Sequence, residues 1–235
     1  MAVSTRCLAV AALDAADRDR LRALLDRHFT GVDAAGFAED LAGKSHIVIL
    51  DVDGAPIGFS TIAYHRLPGE AVVASGDTIV DPGAWGSADL GSAWVRSVFA
   101  IHAAAGGGPL WWLLIASGVR TWRYLPVCMR RFAPAPPDRL DQVAAARLPD
   151  LARALHGDRY DTATGIVRLA RPQRLRAHLA ALPDHLAADP LTAFFLARNP
   201  GHADGDELAS CCRLDPGNLT RLGLRLAGLN TALAC

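Results

Sequence analysis

The hydrophobic pattern changes period partway along the chain, and the order of those periods restricts the folds open to it. Leu21, Leu24, Leu25 and Phe29 recur at helical spacing between charged residues, which predicts an amphipathic helix over Asp17 to Phe29 and a shorter one around Phe37 to Gly43. From Ser45 the pattern turns to branched apolar runs, His46 to Leu50 and Pro56 to Tyr64, on either side of Asp53-Gly54. That is a β-hairpin signal. A third strand follows from Ala71 to Val80, closed by Asp81-Pro82-Gly83. Leu90, Trp94, Val98 and Ile101 then form one apolar stripe on a helix from Ser87 to His102. After Gly106-Gly107-Gly108-Pro109, Leu110 to Ala116 reads as a buried strand, and a helix from Gly118 to Phe132 is expected to kink at Pro126. Helices, a meander, then strand alternating with helix predict an α/β fold, α+β in stricter usage: a mixed, mainly antiparallel central sheet flanked by helices.

Composition narrows the function. With 235 residues, 51% apolar, and 24 basic side chains against 24 acidic ones, the chain is expected to be globular without a broad electrostatic grip on nucleic acid. The longest apolar run, Leu110 to Val119, is about half of the roughly 20 residues that span a bilayer, so no membrane segment is expected. The short run Cys7 to Leu13 is followed at once by charge and makes a poor signal peptide, which points to the cytoplasm. Five Cys with no CxxC pair argue for reduced thiols, and no His pair has zinc-ligand spacing, so no metal is expected. Neither a G-x-S-x-G elbow nor a Walker loop is present.

Ala133-Pro134-Ala135-Pro136-Pro137 is a stiff break. It divides the chain into a core, residues 1–132, and a C-terminal extension, residues 133–235. The extension reads as a helix from Leu140 to His156, strands at Thr164 to Leu169 and Glu207 to Leu214, and helices at Gln173 to Leu182 and Pro190 to Ala197. It either completes the first sheet and shapes an acceptor site, or forms a separate lobe.

Gly76 to Trp94 carries the chemistry: a strand, a proline, a glycine-containing turn and a helix. Such a turn offers unsatisfied N–H groups and the positive end of a helix dipole, which together suit a phosphate. The plainer alternative is that Gly83 and Gly86 only make the turn and Ser87 only caps the helix. Trp85, Trp94, Trp111, Trp112 and Trp122 either line an apolar groove or pack the core, and Arg120, Arg123, Arg130 and Arg131 either meet phosphates or form a solvated face.

Over about Ser45 to Phe132 the sequence resembles the GNAT superfamily of acyl-CoA-dependent N-acyltransferases. Val80-Asp81-Pro82 matches the family's Val-x-Pro strand end, and Gly86 with Ala88 matches the G-x-G/A part of the loop that holds the coenzyme A pyrophosphate. The chain departs from the pattern at Gly83, where the first Arg or Gln would stand, at Trp85, near where the loop arginines cluster, and at Asp89, which adds negative charge. The resemblance implies a GNAT-like fold, acetyl-CoA or another acyl-CoA as donor, and an amine of a small molecule or peptide as acceptor; a homodimer is compatible with it. It implies a cofactor loop of Val80, Gly83, Trp85, Gly86, Ser87 and Ala88, with the Val80 N–H as donor to the thioester carbonyl. Asp77 and His65 are the implied general-base candidates and Tyr124 the acid for the leaving thiolate. Each has a structural alternative: a solvent-facing or turn-capping Asp77, an exposed loop His65, a half-buried packing Tyr124. Two other functions stay open, a binding or regulatory protein without cofactor chemistry and a transferase that takes its acyl group from an acyl carrier protein.

Overall fold

The structure, a computed structural model, describes residues 2–180 and 182–229. It begins with an edge strand, β1 (Val3–Ala9), of which the hydrophobic pattern gives no sign, because nearly all of its residues are exposed. Helix α1 (Ala15–His28) starts where the Asp14 carboxylate accepts the Asp17 N–H at 2.7 Å. After the two-residue strand β2 (Phe29–Thr30), Asp33 caps α2 (Ala34–Ala42) in the same way through the Gly36 N–H at 2.8 Å. Leu21, Leu24, Leu25, Phe37 and Leu41 of these helices pack on Ile47, Ile49 and Phe59, which lie on one face of β3 (His46–Val52) and β4 (Ala55–Leu67). Asp53 and Gly54 make the hairpin turn with φ of 49° and 81°, the paired left-handed conformation a two-residue hairpin loop requires.

Strand β5 (Glu70–Val80) leads through a 3-10 turn, Pro82–Ala84, into α3 (Asp89–Ala104), which crosses the opposite face and returns the chain to β6 (Leu110–Ala116), parallel to β5. The single kinked helix expected next is two short ones, α4 (Val119–Trp122) and α5 (Tyr124–Cys128). Pro126 has no N–H for the Trp122 carbonyl four residues back, so the first helix ends there and Pro126 sits in the first turn of the second, where its missing donor costs nothing.

At the start of the proline-rich segment, Ala133 forms an isolated antiparallel bridge with Cys211, which ties the segment to the sheet. Helix α6 (Gln142–His156) packs Leu148, Leu151 and Ala152 on the face that α1 and α2 also occupy. The extension then runs through β7 (Tyr160–Asp161), β8 (Ile166–Val167), β9 (Arg174–Leu175), α7 (Ala177–Ala180), α8 (Asp184–Ala187), α9 (Pro190–Arg198), β10 (Glu207–Arg213) and α10 (Arg221–Leu226). The strand expected from Thr164 to Leu169 is thus two residues long. The helix expected from Gln173 to Leu182 begins only after β9, which is drawn into pairing with β2; Ala181 lies outside the described residues. The eight-stranded sheet has the order β1-β3-β4-β5-β6-β10-β8-β7, antiparallel everywhere except between β5 and β6. Trp122, fully buried among Phe132, Phe194 and Phe195 with its indole N–H on the Ser210 hydroxyl at 3.2 Å, ties α9 to the sheet. Among the described residues no helix is long and apolar enough to cross a membrane.

Candidate active site

The parallel ladder between β5 and β6 runs from Ala71 opposite Leu110 to Ser75 opposite Leu114 and stops, so among the described residues Gly76–Val80 pair with β4 alone. At that point β5 bulges: Ser60 opposes Thr78 and Ile62 opposes Ser75, so Thr61 faces both Gly76 and Asp77. Glycine is required at the bulge, since a Cβ on Gly76 would overlap the Thr61 hydroxyl and come within 2.8 Å of Lys44 Cε. The extra residue changes which side chains share a face. Ser75 and Thr78 both turn toward α3, while Asp77 turns to the other face, toward Asp40 and Lys44. Asp81 donates its N–H across to the Ile57 carbonyl at 2.8 Å, so the N–H of Val80, one residue earlier, points away from β4 into the gap.

The loop after β5 divides its amides. Those of Ala84, Trp85 and Ser87 bond within the turn, to the carbonyls of Asp81, Pro82 and Ala84 at 2.8, 3.2 and 3.1 Å. The amides of Gly83, Gly86 and Ala88, and of Leu90 and Gly91 in the first turn of α3, donate to no described residue. Gly86 has φ of 93°, a conformation that favours glycine. Trp85 is 42% exposed, its indole N–H on the Val80 carbonyl at 2.8 Å and the Arg120 guanidinium 4.2 Å above its ring. The Ser87 hydroxyl donates to Asp89 at 2.6 Å, which puts a carboxylate at the positive end of α3.

On the α3 side of the gap lies an apolar cavity of about 50 Å³. Trp94 and Trp112 meet in it with ring centroids 5.0 Å apart, and the Trp112 indole N–H donates to Ser75 at 3.0 Å. Tyr124 lies across it against Gly91, where a Cβ would stand 3.0 Å from the tyrosine ring. Burial pushes the Tyr124 phenol above its ordinary value and Cys128 up to about 11, so both keep their protons at neutral pH. Helix α10 closes the far wall, with Thr220 donating to the Val127 carbonyl at 2.7 Å and Ser92 to the Leu226 carbonyl at 2.8 Å.

On the other side a polar chamber forms where α2, β4, β5, α6 and β10 meet. Lys44 Nζ lies 2.9 Å from Asp40 Oδ1. Asp40 Oδ2, Thr61 Oγ1, Asp77 Oδ2 and His156 Nε2 are shut off from solvent without a hydrogen-bond partner among the described residues. Burial first, then the negative charge of Asp40, pushes the Asp77 carboxyl up to about 7, against the pull of Lys44. Burial, with Asp77 next, pushes Glu207 up to about 8. The imidazoles move the other way: burial and Lys44 lower His65, while burial, then Arg159, Lys44 and His65, lower His156 to about 4. A carboxyl that titrates near neutrality beside a strand gap is suited to take a proton from an attacking nucleophile.

Of the residues singled out in the sequence, Asp77 and His65 therefore share one chamber, Tyr124 lies on the opposite face of the sheet, and Val80 lies on the gap between them. Lys44, Asp40, Thr61, His156 and Glu207 escaped the sequence reading. One signal was available: in a chain with 24 basic side chains, Lys44 is the sole lysine.

No family model matches the sequence, and no curated protein matches it. Among solved structures, the chain is similar to ElaA of Escherichia coli at 13% identity and a TM-score of 0.40, over 57% of this chain and 89% of that one. A Trypanosoma brucei acetyltransferase is similar at 21% identity and a TM-score of 0.37, over 52% and 88%. YhbS of Escherichia coli, a GNAT family N-acetyltransferase solved in complex with CoA, is similar at 17% identity and a TM-score of 0.39, over 53% and 69%.

Proposed function

We propose that this chain is a divergent member of the GNAT superfamily and transfers an acyl group from an acyl-CoA thioester to an amine. The observation that carries the proposal is the gap beside Gly76–Val80, with a carboxyl that titrates near pH 7 on one face of the sheet and a protonated phenol on the other. A thioester lying in that gap would have its carbonyl oxygen accept the Val80 N–H. A neutral amine would enter from the Asp77 side. Its nitrogen forms the new bond to the carbonyl carbon while the carbon–sulfur bond breaks; the nitrogen's proton passes to the Asp77 carboxylate, and the thiolate takes the proton of Tyr124. Proton return from Asp77 to Tyr124 through water completes the cycle. The free amides of Gly83, Gly86, Ala88, Leu90 and Gly91 are the donors available to a diphosphate. The small volume of the cavity supports a short acyl group such as acetyl.

A second reading is favoured by the Asp89 carboxylate at the start of α3 and by the bonded amides of Ala84, Trp85 and Ser87. In it the protein keeps the architecture but binds no free coenzyme A, and either regulates or receives its acyl group from a carrier protein. Calorimetric titration with acetyl-CoA and longer acyl-CoAs separates the two readings. Binding followed by thiol release in the presence of amines is the expected result, and absence of binding to every acyl-CoA overturns the first reading.

A further inference from the structure

The acceptor face of the gap already holds a primary amine. Lys44 follows the end of α2, with its N–H on the Leu41 carbonyl at 3.0 Å, and its side chain, only 17% exposed, lies against β5. A Cβ on Gly76 would stand 2.8 Å from Lys44 Cε and 3.0 Å from Nζ. Gly76 is the first residue of β5 past the end of the β6 ladder, and Ser75 and Thr78 on either side of the bulge line the cavity that Tyr124 also lines, on the other face. The amine and the cavity are thus separated by one strand, at the level where β6 no longer covers its edge. Asp40 Oδ1 lies 2.9 Å from Nζ, within reach to accept its proton. A second observation points to what the amine could carry. Thr61 is fully buried, its hydroxyl adjoins the same Gly76 position, and it has no partner among the described residues. A buried hydroxyl without an acceptor is costly, and an amide carbonyl built on Nζ would supply one.

Resting on the transferase reading above, we propose that Lys44 is itself an acyl acceptor: with an acyl-CoA bound and no amine substrate present, the chain acylates its own Lys44 at Nζ. Lys44 reacts as the neutral amine. Its nitrogen forms the new bond to the thioester carbonyl carbon and the carbon–sulfur bond breaks; the proton that Nζ sheds passes to the Asp40 carboxylate, and the leaving thiolate takes the proton of Tyr124, which water restores. No oxidant or second substrate is needed. No other side-chain amine competes, because Lys44 is the sole lysine and arginines stay protonated. The product is a neutral amide, so Asp40 loses its cation, and the acylated side chain occupies the face from which a free amine would enter.

Incubation of the full chain with acetyl-CoA at pH 8, followed by intact mass spectrometry, tests this. The chain should gain one acetyl group. Because it has one lysine, a lysine-specific protease cuts the unfolded chain at one place, and the acetylated chain should resist that cut. Labelling should be about tenfold or more faster in the folded chain than in urea, at a rate per chain that does not change with protein concentration, and Lys44→Arg, which keeps the charge beside Asp40, should gain nothing. Equal rates folded and in urea, a rate that rises with chain concentration, or a gain that persists in Lys44→Arg overturns the proposal. Should Lys44→Arg not fold, as judged by its thermal melt, the protease cut and the urea comparison on the unaltered chain still decide. Calorimetric titration with acetyl-CoA separates the two readings: binding without acetylation of Lys44 overturns self-acylation and leaves the transferase reading, whereas absence of binding to every acyl-CoA overturns both.

Discussion

The Thr61 hydroxyl occupies the space where a side chain on Gly76 would begin, and this contact fixes the bulge that turns Asp77 away from α3 and into the polar chamber. The first prediction follows from it. Gly76→Ala forces a methyl group against the Thr61 hydroxyl and Lys44, an overpacking that costs about 1–3 kcal/mol, and each kcal/mol lowers Tm by about 2–4 °C in a chain of this size. Adding Thr61→Ala should recover at least half of the loss in urea denaturation. A Gly76→Ala protein as stable as the parent would show that the bulge is not held by this contact.

Stability should fall between about pH 6.5 and 8. The unfolded chain releases the protons of Asp77 and Glu207 near their ordinary values of 3.8 and 4.5, whereas the folded chain holds them to about 7 and about 8. Between those values these two carboxyls hold more protons in the native state than in the unfolded one, so their contribution to stability falls as pH rises and levels off only above the folded values. Asp40, Lys44, His65 and His156 face the same chamber. The two imidazoles are lowered, so they act in the opposite direction only below their ordinary value of 6.5. The decline left in that window is on the order of 2 kcal/mol. Urea melts at pH 6.5 and 8 measure it, and Asp77→Asn with Glu207→Gln should flatten it.

Turnover should rise with pH through about 7, because the form of Asp77 that accepts a proton is the carboxylate. Asp77→Asn should lower kcat by about 10²–10⁴ and abolish that limb, since an amide accepts no proton at neutral pH. A normal pH–rate profile in this variant would remove Asp77 from the mechanism.

Tyr124→Phe should lower kcat by about 10²–10⁴, the usual worth of one positioned acid, with little change in acyl-CoA affinity, because the ring that fills the space beside Gly91 is retained. Gly91→Ala should reduce both together, since the new methyl displaces that ring. Steady-state kinetics and direct acyl-CoA titration of the two variants check the contrast.

The elements that could be read from the sequence are those whose hydrophobic period is set by local burial. The hairpin around Asp53-Gly54 and the strand Leu110–Ala116 announce themselves because most of their buried residues are apolar and their ends carry turn residues. Strand β1 gave no such signal, being exposed on the sheet edge, and β9 is too short to show a period and exists only through its pairing with Phe29 and Thr30. Asp77, His65 and Tyr124 could be suspected from their positions along the chain. His156 and Glu207, which lie 79 and 130 residues beyond Asp77, could not.

By itself the sequence determined the order of helices and strands, the tight turns and the glycine-bearing loop before α3, because these depend on backbone preferences and on which neighbouring residues are apolar. Tertiary structure alone decided that β10 lies beside β6, that the β5–β6 ladder ends at Ser75, and that one extra residue opposite Thr61 sends Asp77 to the face where Lys44, His156 and Glu207 converge. The physical reason is that burial and opposing charge act through space: a carboxyl becomes a candidate base only when chain segments far apart in sequence remove its water.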